Sequence, residues 1–157
     1  PPNLTFPSGA YICVVDIDKE TGGITVRRFV AIDDCGNIIN PMIVQGQVHG
    51  GLTQGIAPAM YEELIYDEDG NILNGTLMDY LVPTAVESPK WETGHTVTPS
   101  PHHPIGAKGV GESPTVGAPP AIANAIIDAL SPYGITHMDI PITPFKVWKA
   151  LKEKGAV

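Results

Sequence analysis

The stretch Gly106-Ala-Lys-Gly-Val-Gly-Glu-Ser-Pro114 joins a glycine-rich loop to the start of a predicted helix. Its three glycines allow the backbone to adopt positive φ and to approach a ligand closely. Ser113 and Pro114 are typical of a helix start, because a capping hydroxyl precedes a proline suited to the first turn. Glu112 therefore lies beside a helix N-terminus, which favours the ionised carboxylate. Such a carboxylate is suited to act as a general base, although a surface glutamate in a loop has the same local sequence.

The first third of the chain predicts a β-hairpin followed by a long helix. Residues 10–18 and 24–32 are rich in β-forming side chains, and Lys19-Glu-Thr-Gly-Gly23 between them is typical of a turn. Residues 33–40 are predicted to form a loop at the end of the second strand. A proline then opens a helix over about residues 41–62, in which apolar side chains recur at helical spacing.

This predicted helix is unusually rich in glycine. Each glycine costs up to about 1 kcal/mol relative to alanine in a helix interior. Something must therefore approach the helix backbone closely, and both a second helix and a ligand meet that requirement. The glycines are Gly46, Gly50, Gly51 and Gly55.

The middle of the chain gives weaker signals. Residues 63–66 and 71–73 flank Asp67-Glu-Asp-Gly70, so a second hairpin is predicted there. The three acidic side chains of that turn lack the rest of an EF-hand loop, so a solvated turn is favoured over a calcium site. Residues 81–104 are dotted with proline and show no lasting period.

The last part of the chain predicts two more helices. The helix that begins at Ser113 has an apolar face and is expected to kink or restart at Pro119-Pro120. The Ser131-Pro-Tyr-Gly134 turn should lead to a short strand over about residues 137–142, and Thr143-Pro144 should start a final helix. The fold class is therefore α+β, with β-hairpins packed against glycine-rich helices.

The bulk composition excludes several classes of function. Of 157 residues, 43% are apolar and 17% are charged, which is typical of a globular domain. The net charge of −8 argues against binding to nucleic acid or to an anionic membrane, and the apolar runs are too short to span a bilayer. Cys13 and Cys35 lack metal-type spacing, which favours a reduced, cytoplasmic setting. The opening Pro1-Pro2 suggests a fragment or a processed piece.

Two other motifs carry no site. His95, His102 and His103 have no cysteine or acidic partner at ligand spacing, so no metal ligand is assigned. The G-x-x-G-x-G pattern of residues 106–111 differs from the dinucleotide fingerprint, and no suitable strand precedes it.

Three signatures in order resemble the molybdenum hydroxylases. These are Asp33-Asp-Cys-Gly-Asn-Ile-Ile-Asn-Pro41, Gly46-Gln-Val-His-Gly-Gly-Leu-Thr-Gln-Gly55 and the Glu112 loop. The chain is similar, over roughly residues 10–151, to the C-terminal part of the large subunit in the xanthine oxidase and aldehyde oxidase family. The similarity is greatest to the carbon monoxide dehydrogenase large-chain type. The resemblance implies that residues 1–157 are the C-terminal portion of a molybdopterin-binding domain, as a fragment or a split subunit.

The resemblance also implies roles near the metal. The glutamate at the position of Glu112 faces the molybdenum and acts as the catalytic base. The glutamine at the position of Gln47 presents its amide to the molybdenum and pterin region, although a solvent-facing glutamine is the alternative. His49 departs from the xanthine oxidase branch, where an acidic residue is common, and this argues against purine specificity.

Weaker cofactor assignments follow for two loops. The loop that holds Asp33, Cys35 and Asn37 is implied to contact the nucleotide end of molybdopterin cytosine dinucleotide, although Asp33 would equally suit a turn. Backbone amides of residues 108–110 could bind the cofactor, and the Lys108 side chain could meet a phosphate. The residues of this second loop are Lys108, Gly109 and Val110.

Two functions remain open from the sequence. In the first, the chain is part of an oxidoreductase that hydroxylates an aldehyde or an N-heterocycle, or oxidises carbon monoxide, with water as the oxygen source. Electrons would leave through an iron–sulfur subunit and an FAD subunit, because two cysteines cannot hold a cluster here. The chain would then join the remainder of the large subunit in a hetero-oligomer. In the second, it is a non-catalytic domain that only docks on partner subunits; an unrelated binding module is a third, weaker possibility.

Overall fold

The computed structural model describes residues 5–157, so the opening Pro1-Pro2 lies outside the described residues. Within them the chain has a three-stranded sheet, three α-helices and one short 3₁₀-helix, which confirms the α+β class. The elements are β1 (Ser8–Ile17), β2 (Ile24–Asp34), α1 (Pro41–Met60), β3 (Trp91–His95), α2 (Ser113–Leu130), a 3₁₀-helix (Ser131–Tyr133) and α3 (Pro144–Glu153).

The sheet has the order β1-β2-β3. The predicted hairpin is present, because β1 and β2 pair antiparallel with Ala10 opposite Ile32. The third strand lies in the stretch that was predicted to be irregular, and it pairs parallel to β2 with Trp91 beside Phe29. Its pairing partner is about 60 residues away in sequence, so local periodicity carries no signal for it.

Two predicted strand regions are wrong. Residues 137–142 form no strand, and the backbone N–H of Ile142 instead donates to the carbonyl of Ala59 in α1. The second hairpin is reduced to one isolated bridge between Tyr66 and Ile72. The turn between them is closed by the Asp67 carboxylate, which accepts from backbone N–H groups two and four residues later.

The helices begin where the sequence indicates, with one correction. The Asn40 side chain caps α1 by accepting from the backbone of Met42 and Ile43. In α2 the cap position is Glu112 rather than Ser113, and no side chain caps this end. The Ser113 hydroxyl is absent from the cap because it donates to a distant carboxylate. The helix continues through Pro119-Pro120 without a restart.

The core lies where α1 and α2 pack on the inner face of the sheet, and α3 contributes Val147 and Leu151 to it. Gly51 and Gly55 allow the close approach of the two helices, because a Cβ at these positions would lie 3.0 Å and 2.5 Å from the nearest atoms of α2. Gly46 and Gly50 differ, since a Cβ there would meet no atom of residues 5–157 within 4 Å. The second helix therefore accounts for two of the four glycines and leaves the other two open. No helix of the described part is long and apolar enough to cross a membrane.

Candidate functional site

Backbone hydrogen bonds join the glycine loop before α2 to the end of β2. The backbone N–H of Lys108 donates to the carbonyl of Cys35 at 2.7 Å, and that of Asn37 donates to the carbonyl of Gly106 at 3.1 Å. Gly36 and Gly106 both adopt positive φ, at 67° and 73°. A side chain on Gly36 would overlap the Gly106 carbonyl oxygen, so glycine is required where the two segments touch.

Asp34 holds the first half of this loop. Its carboxylate lies 2.9 Å from the Lys108 ammonium group, and both side chains are buried. It also accepts from the backbone N–H groups of Gly36 and Thr98 and from the Thr96 hydroxyl. The Lys108 ammonium first, and then the Gly36 N–H, hold the pKa of the Asp34 carboxyl well below its usual value. The ion pair is therefore formed throughout the neutral range.

Asp33 holds the second half of the loop, through hydroxyl groups. One oxygen of its buried carboxylate accepts from the Tyr11 hydroxyl and, at 2.5 Å, from the Ser113 hydroxyl. The two hydroxyl oxygens are themselves 3.0 Å apart. The other carboxylate oxygen is buried and has no hydrogen-bond partner among the described residues. Burial and then the hydrogen bond to Asp33 raise the pKa of Tyr11, so the phenol remains a donor.

Glu112 lies between these two anchors. Its side chain is exposed, and its carboxylate makes no hydrogen bond or ion pair with residues 5–157. It lines a cavity of about 590 Å³ together with Tyr11, Ser113 and Val116. The structure thus presents this carboxylate at the rim of a cavity, on a loop that is fixed on both sides.

Gln47 and Glu112 are brought to the same part of the molecule. The side-chain oxygen of Gln47 lies so close to Gly111 that an added Cβ would be 3.3 Å from it. Gln47 is exposed, and the neighbouring Gly46 and Gly50 on α1 are also exposed. A flat group could therefore reach the backbone of α1 beside the Gln47 amide.

The other predicted site residues are divided between the surface and the interior. Asp33 belongs to β2 and not to a loop, because this strand continues to Asp34. Cys35 is buried, and burial raises the pKa of its thiol. The Asn37 amide is used in a 2.6 Å hydrogen bond to the carbonyl of Ile105. Among the described residues there is no cluster of three His, Cys, Asp or Glu side chains that would hold a metal ion.

The second loop also differs in detail from the expectation. The Lys108 ammonium is paired with Asp34, so the side chain that could meet a phosphate is already bound within the chain. Gly109 is exposed, and Val110 packs partly against the core. Sequence reasoning missed Asp34 and Tyr11. The signal that could have found them is a tyrosine on β1 that pairs with Ala31, two residues before the aspartate pair on β2.

Comparison with known proteins identifies the class of this domain. The family model described as "Molybdopterin cofactor-binding domain" matches residues 1–89, more than half of the chain. The chain therefore belongs to the molybdopterin cofactor-binding domain family, and the resemblance found in the sequence is confirmed.

Particular relatives extend the match to almost the whole chain. The carbon monoxide dehydrogenase large chain of Hydrogenophaga pseudoflava is 62% identical over 153 residues, which cover 98% of this chain and 19% of that protein. The solved carbon monoxide dehydrogenase from Oligotropha carboxidovorans matches with a TM-score of 0.96 at 56% identity, over 99% of this chain and 19% of the other. The quinoline 2-oxidoreductase from Pseudomonas putida 86 matches with a TM-score of 0.89 at 43% identity, over 92% and 18%. The chain spans about a fifth of the length of these relatives.

Proposed function

We propose that this chain is the C-terminal portion of the molybdopterin-binding domain in the large subunit of a molybdenum-dependent oxidoreductase, and that Glu112 is its general base. The observation that carries the proposal is the Glu112 carboxylate, which lacks any partner within the described chain, lines a cavity and lies in the chain between two buried anchors. Similarity to the relatives over nearly the whole chain supports it, because the matched region includes the Glu112 loop.

The exposed residues of α1 fit a pterin cofactor. Gly46 and Gly50 leave the backbone of α1 open, and the exposed Gln47 between them carries one amide donor and one amide acceptor. A planar ring system needs such a face, because side chains at these two positions would hold it away from the backbone. When bound, the molybdenum centre supplies two-electron oxidation and activates water as the oxygen source.

Each proposed residue then has a defined task. Glu112 accepts the proton that water loses when its oxygen is transferred to the substrate, for which a carboxylate without an internal partner is required. Gln47 orients the cofactor by hydrogen bonds and lies against Gly111, one residue before the base. The exposed Gly109 can offer its backbone N–H to a phosphate of molybdopterin cytosine dinucleotide, whereas the Lys108 side chain acts indirectly by fixing the loop to Asp34.

Fewer side chains of this chain are free to bind the nucleotide end of the cofactor. Cys35 and Asn37 line a cavity of about 220 Å³ beside Lys108 and Val110, and most of the side chains that line it are apolar. Asp33 lines a neighbouring cavity of about 210 Å³. We infer that these residues shape the nucleotide pocket mainly through backbone and apolar contacts, because the Asp33, Lys108 and Asn37 side chains are bound within the chain.

The proposed partners are the remainder of the large subunit, an iron–sulfur subunit and an FAD subunit in a cytoplasmic hetero-oligomer. The exposure of large apolar side chains between α1 and β3 supports a covered surface, since Leu77 is 83% exposed and Met78 is 89% exposed. The substrate class is an aldehyde, an N-heterocycle or carbon monoxide. Relatives named for carbon monoxide and for quinoline share this fold, so the substrate is chosen largely by residues outside this part.

The test is made on the complete complex that contains this chain. Molybdenum and cytosine nucleotide are measured in the purified protein, and turnover is compared with that of Glu112→Gln. We expect both cofactor components in stoichiometric amounts in both proteins, and a loss of at least about 100-fold in kcat for the variant. Glu153→Gln, an exposed change at the end of α3, is the matched control. Absence of molybdenum, or activity that survives Glu112→Gln, would contradict the proposal.

A further inference from the structure

Tyr11, Asp33 and Ser113 form a cluster directly beside the proposed base. Both hydroxyl groups converge on one oxygen of the buried Asp33 carboxylate. Ser113 follows Glu112 in the chain, so its side chain fixes the backbone unit that carries the base. Tyr11 and Asp33 come from β1 and β2, so the cluster ties the start of α2 to two strands of the sheet.

We propose that Tyr11 and Asp33 are positioning residues: through the Ser113 hydroxyl they fix the first turn of α2 and thereby the direction of the Glu112 carboxylate. This inference rests on the proposed role of Glu112. Neither residue touches the reacting atoms in this account. Tyr11 and Asp33 act on Glu112 through Ser113, which follows it in the chain.

The start of α2 is also held by α1, because Pro114 is buried against Gly51 and the Thr115 hydroxyl donates to the Gly51 carbonyl. Its cap position carries no side-chain hydrogen bond, so the usual polar contact at a helix start is missing. The Ser113 hydroxyl is used in the cluster instead. The orientation of this end therefore depends on a long-range contact between residues 80 positions apart in sequence, together with packing against α1.

The aromatic ring of Tyr11 adds a steric constraint to the polar one. It lies against Gly117, one helical turn after Ser113, and a Cβ at residue 117 would overlap the ring. The ring is thus seated on the first two turns of α2 while its hydroxyl reaches Asp33 and Ser113. Contact at both places prevents rotation of the helix start about its own axis, which would redirect Glu112.

The protonation chemistry of the cluster keeps it constant over the working pH range. The pKa of Tyr11 is raised, first by burial and then by its hydrogen bond to Asp33, so the phenol does not lose its proton near neutrality. The second oxygen of Asp33 has no partner in the described part of the chain, so the carboxylate depends on these two donors. Loss of one hydroxyl should therefore loosen the other contact as well.

The test compares Tyr11→Phe, Ser113→Ala and Ser113→Thr in the complete complex. Tyr11→Phe keeps the ring on Gly117 and removes only the hydroxyl, so it should fold even if Asp33→Asn does not. We expect kcat to fall about 10-fold or more in Tyr11→Phe and Ser113→Ala, because a small misplacement of a catalytic group strongly reduces rate. KM should change less than about twofold, molybdenum content should be unchanged, and Ser113→Thr should restore most of kcat.

A second readout does not depend on turnover. Amide hydrogen exchange over residues 112–118 should rise in Tyr11→Phe and Ser113→Ala, while exchange over residues 122–130 should stay as in the unaltered protein. The Tyr11→Phe change combined with Ser113→Ala should be little worse than either alone, because both hydroxyls serve one acceptor. Tyr133→Phe and Ser131→Ala are the matched controls, since both residues lie at the far end of α2.

The outcomes separate this inference from the proposed function. Unaltered kcat and exchange in Tyr11→Phe and Ser113→Ala, with Glu112→Gln inactive, would overturn the positioning role and leave the base assignment standing. A fall in kcat that only follows loss of molybdenum would also overturn it. If Glu112→Gln stayed active, the base assignment would fail, and with it the positioning of that base.

Discussion

The two ends of the loop that carries Glu112 are held by neighbouring residues of the same strand, but with different chemistry. Asp34 binds the first end through an ammonium group and two backbone N–H groups. Asp33 binds the second end through the Ser113 hydroxyl, and the same oxygen accepts from Tyr11 of β1, whereas its other oxygen has no partner among residues 5–157. Adjacent side chains of a strand point in opposite directions, so one β2 terminus can serve both ends.

The two anchors therefore differ in what their loss should change: the Asp34 anchor holds the loop closed, and the Asp33 anchor sets its orientation. The Asp34 anchor is a buried ion pair, so it depends on charge balance and its loss should open the loop. The Asp33 anchor uses neutral donors, whose individual removal is milder and acts on orientation. Between them, Gly109, Gly111 and Glu112 are exposed. The base is thus presented on a short surface segment between two buried contacts.

Removal of the Lys108 ammonium group should have the largest effect on amide exchange in the loop. In Lys108→Met the Asp34 carboxylate stays buried without its cation, so amide exchange over residues 34–37 and 96–108 should accelerate by about 100-fold. Molybdopterin content should fall with it. The double change Asp34→Asn with Lys108→Met should recover part of the protection, because no buried charge remains. Lys149→Met, an exposed lysine of α3, is the control, and an equal effect there would refute the anchor.

Acid should release the Asp34 end of the loop. The pKa of Asp34 is lowered in the folded protein, so its stabilising contribution is present above the unfolded value of about 4 and is lost as pH falls toward the folded value. Exchange over residues 96–108, corrected for the intrinsic rate, should be constant from about pH 7 to 5 and rise below about 4. Asp34→Asn should remove this pH dependence. A rise already present near neutral pH would contradict the ion pair.

The packing of Tyr11 against the start of α2 is tested with two glycine-to-alanine changes, one at this contact and one away from it. Gly117→Ala places a methyl group into the Tyr11 ring, and we expect a loss of roughly 1–3 kcal/mol in the local opening free energy of α2. Gly50→Ala meets no atom of the described chain and should raise helix stability by up to about 1 kcal/mol. Under the proposed function it should nevertheless lower molybdopterin content. Retained cofactor in Gly50→Ala would place the cofactor elsewhere.

Loss of the exposed ion pair between Arg28 and Glu92 should have the smallest effect on amide exchange. Arg28 and Glu92 join β2 to β3 in a two-bond contact, but their side chains are 60% and 43% exposed. Arg28→Gln should change exchange over residues 91–95 by less than about twofold, because solvent screens such pairs. Added salt should have a similarly small effect in the unaltered protein. A change as large as that in Lys108→Met would mean that burial does not distinguish the two pairs.

The sequence predicted those parts of the fold that local signals determine. The β1–β2 hairpin and the starts of α1 and α3 follow from the Gly22-Gly23 turn and from the Asn40 and Thr143 caps, all of which act within a few residues. Strand β3 was missed because it is five residues long and pairs with a distant parallel strand. The 137–142 strand was wrong because Ile142 bonds to α1 instead of to a sheet.

The candidate site was only partly visible in the sequence. The structure brings Gln47 and the Glu112 loop together, while the roles that the family resemblance implies for them stay predictions. The two anchors were missed, since Ser113 was interpreted as a local cap and Lys108 as a phosphate ligand. Both side chains are bound to aspartates more than 70 positions earlier. Such long-range polar contacts leave no periodic trace in a single sequence.

The most direct measurement is a crystal structure of the complete large subunit with its cofactor and a bound substrate analogue. We expect the Glu112 carboxylate in the cavity that holds the molybdenum, about 3 Å from the analogue or from a water molecule in contact with it. The Asp34–Lys108 pair and the Tyr11–Asp33–Ser113 cluster should both be intact. A carboxylate turned into bulk water, with the molybdenum in a cavity that this loop does not border, would contradict the account.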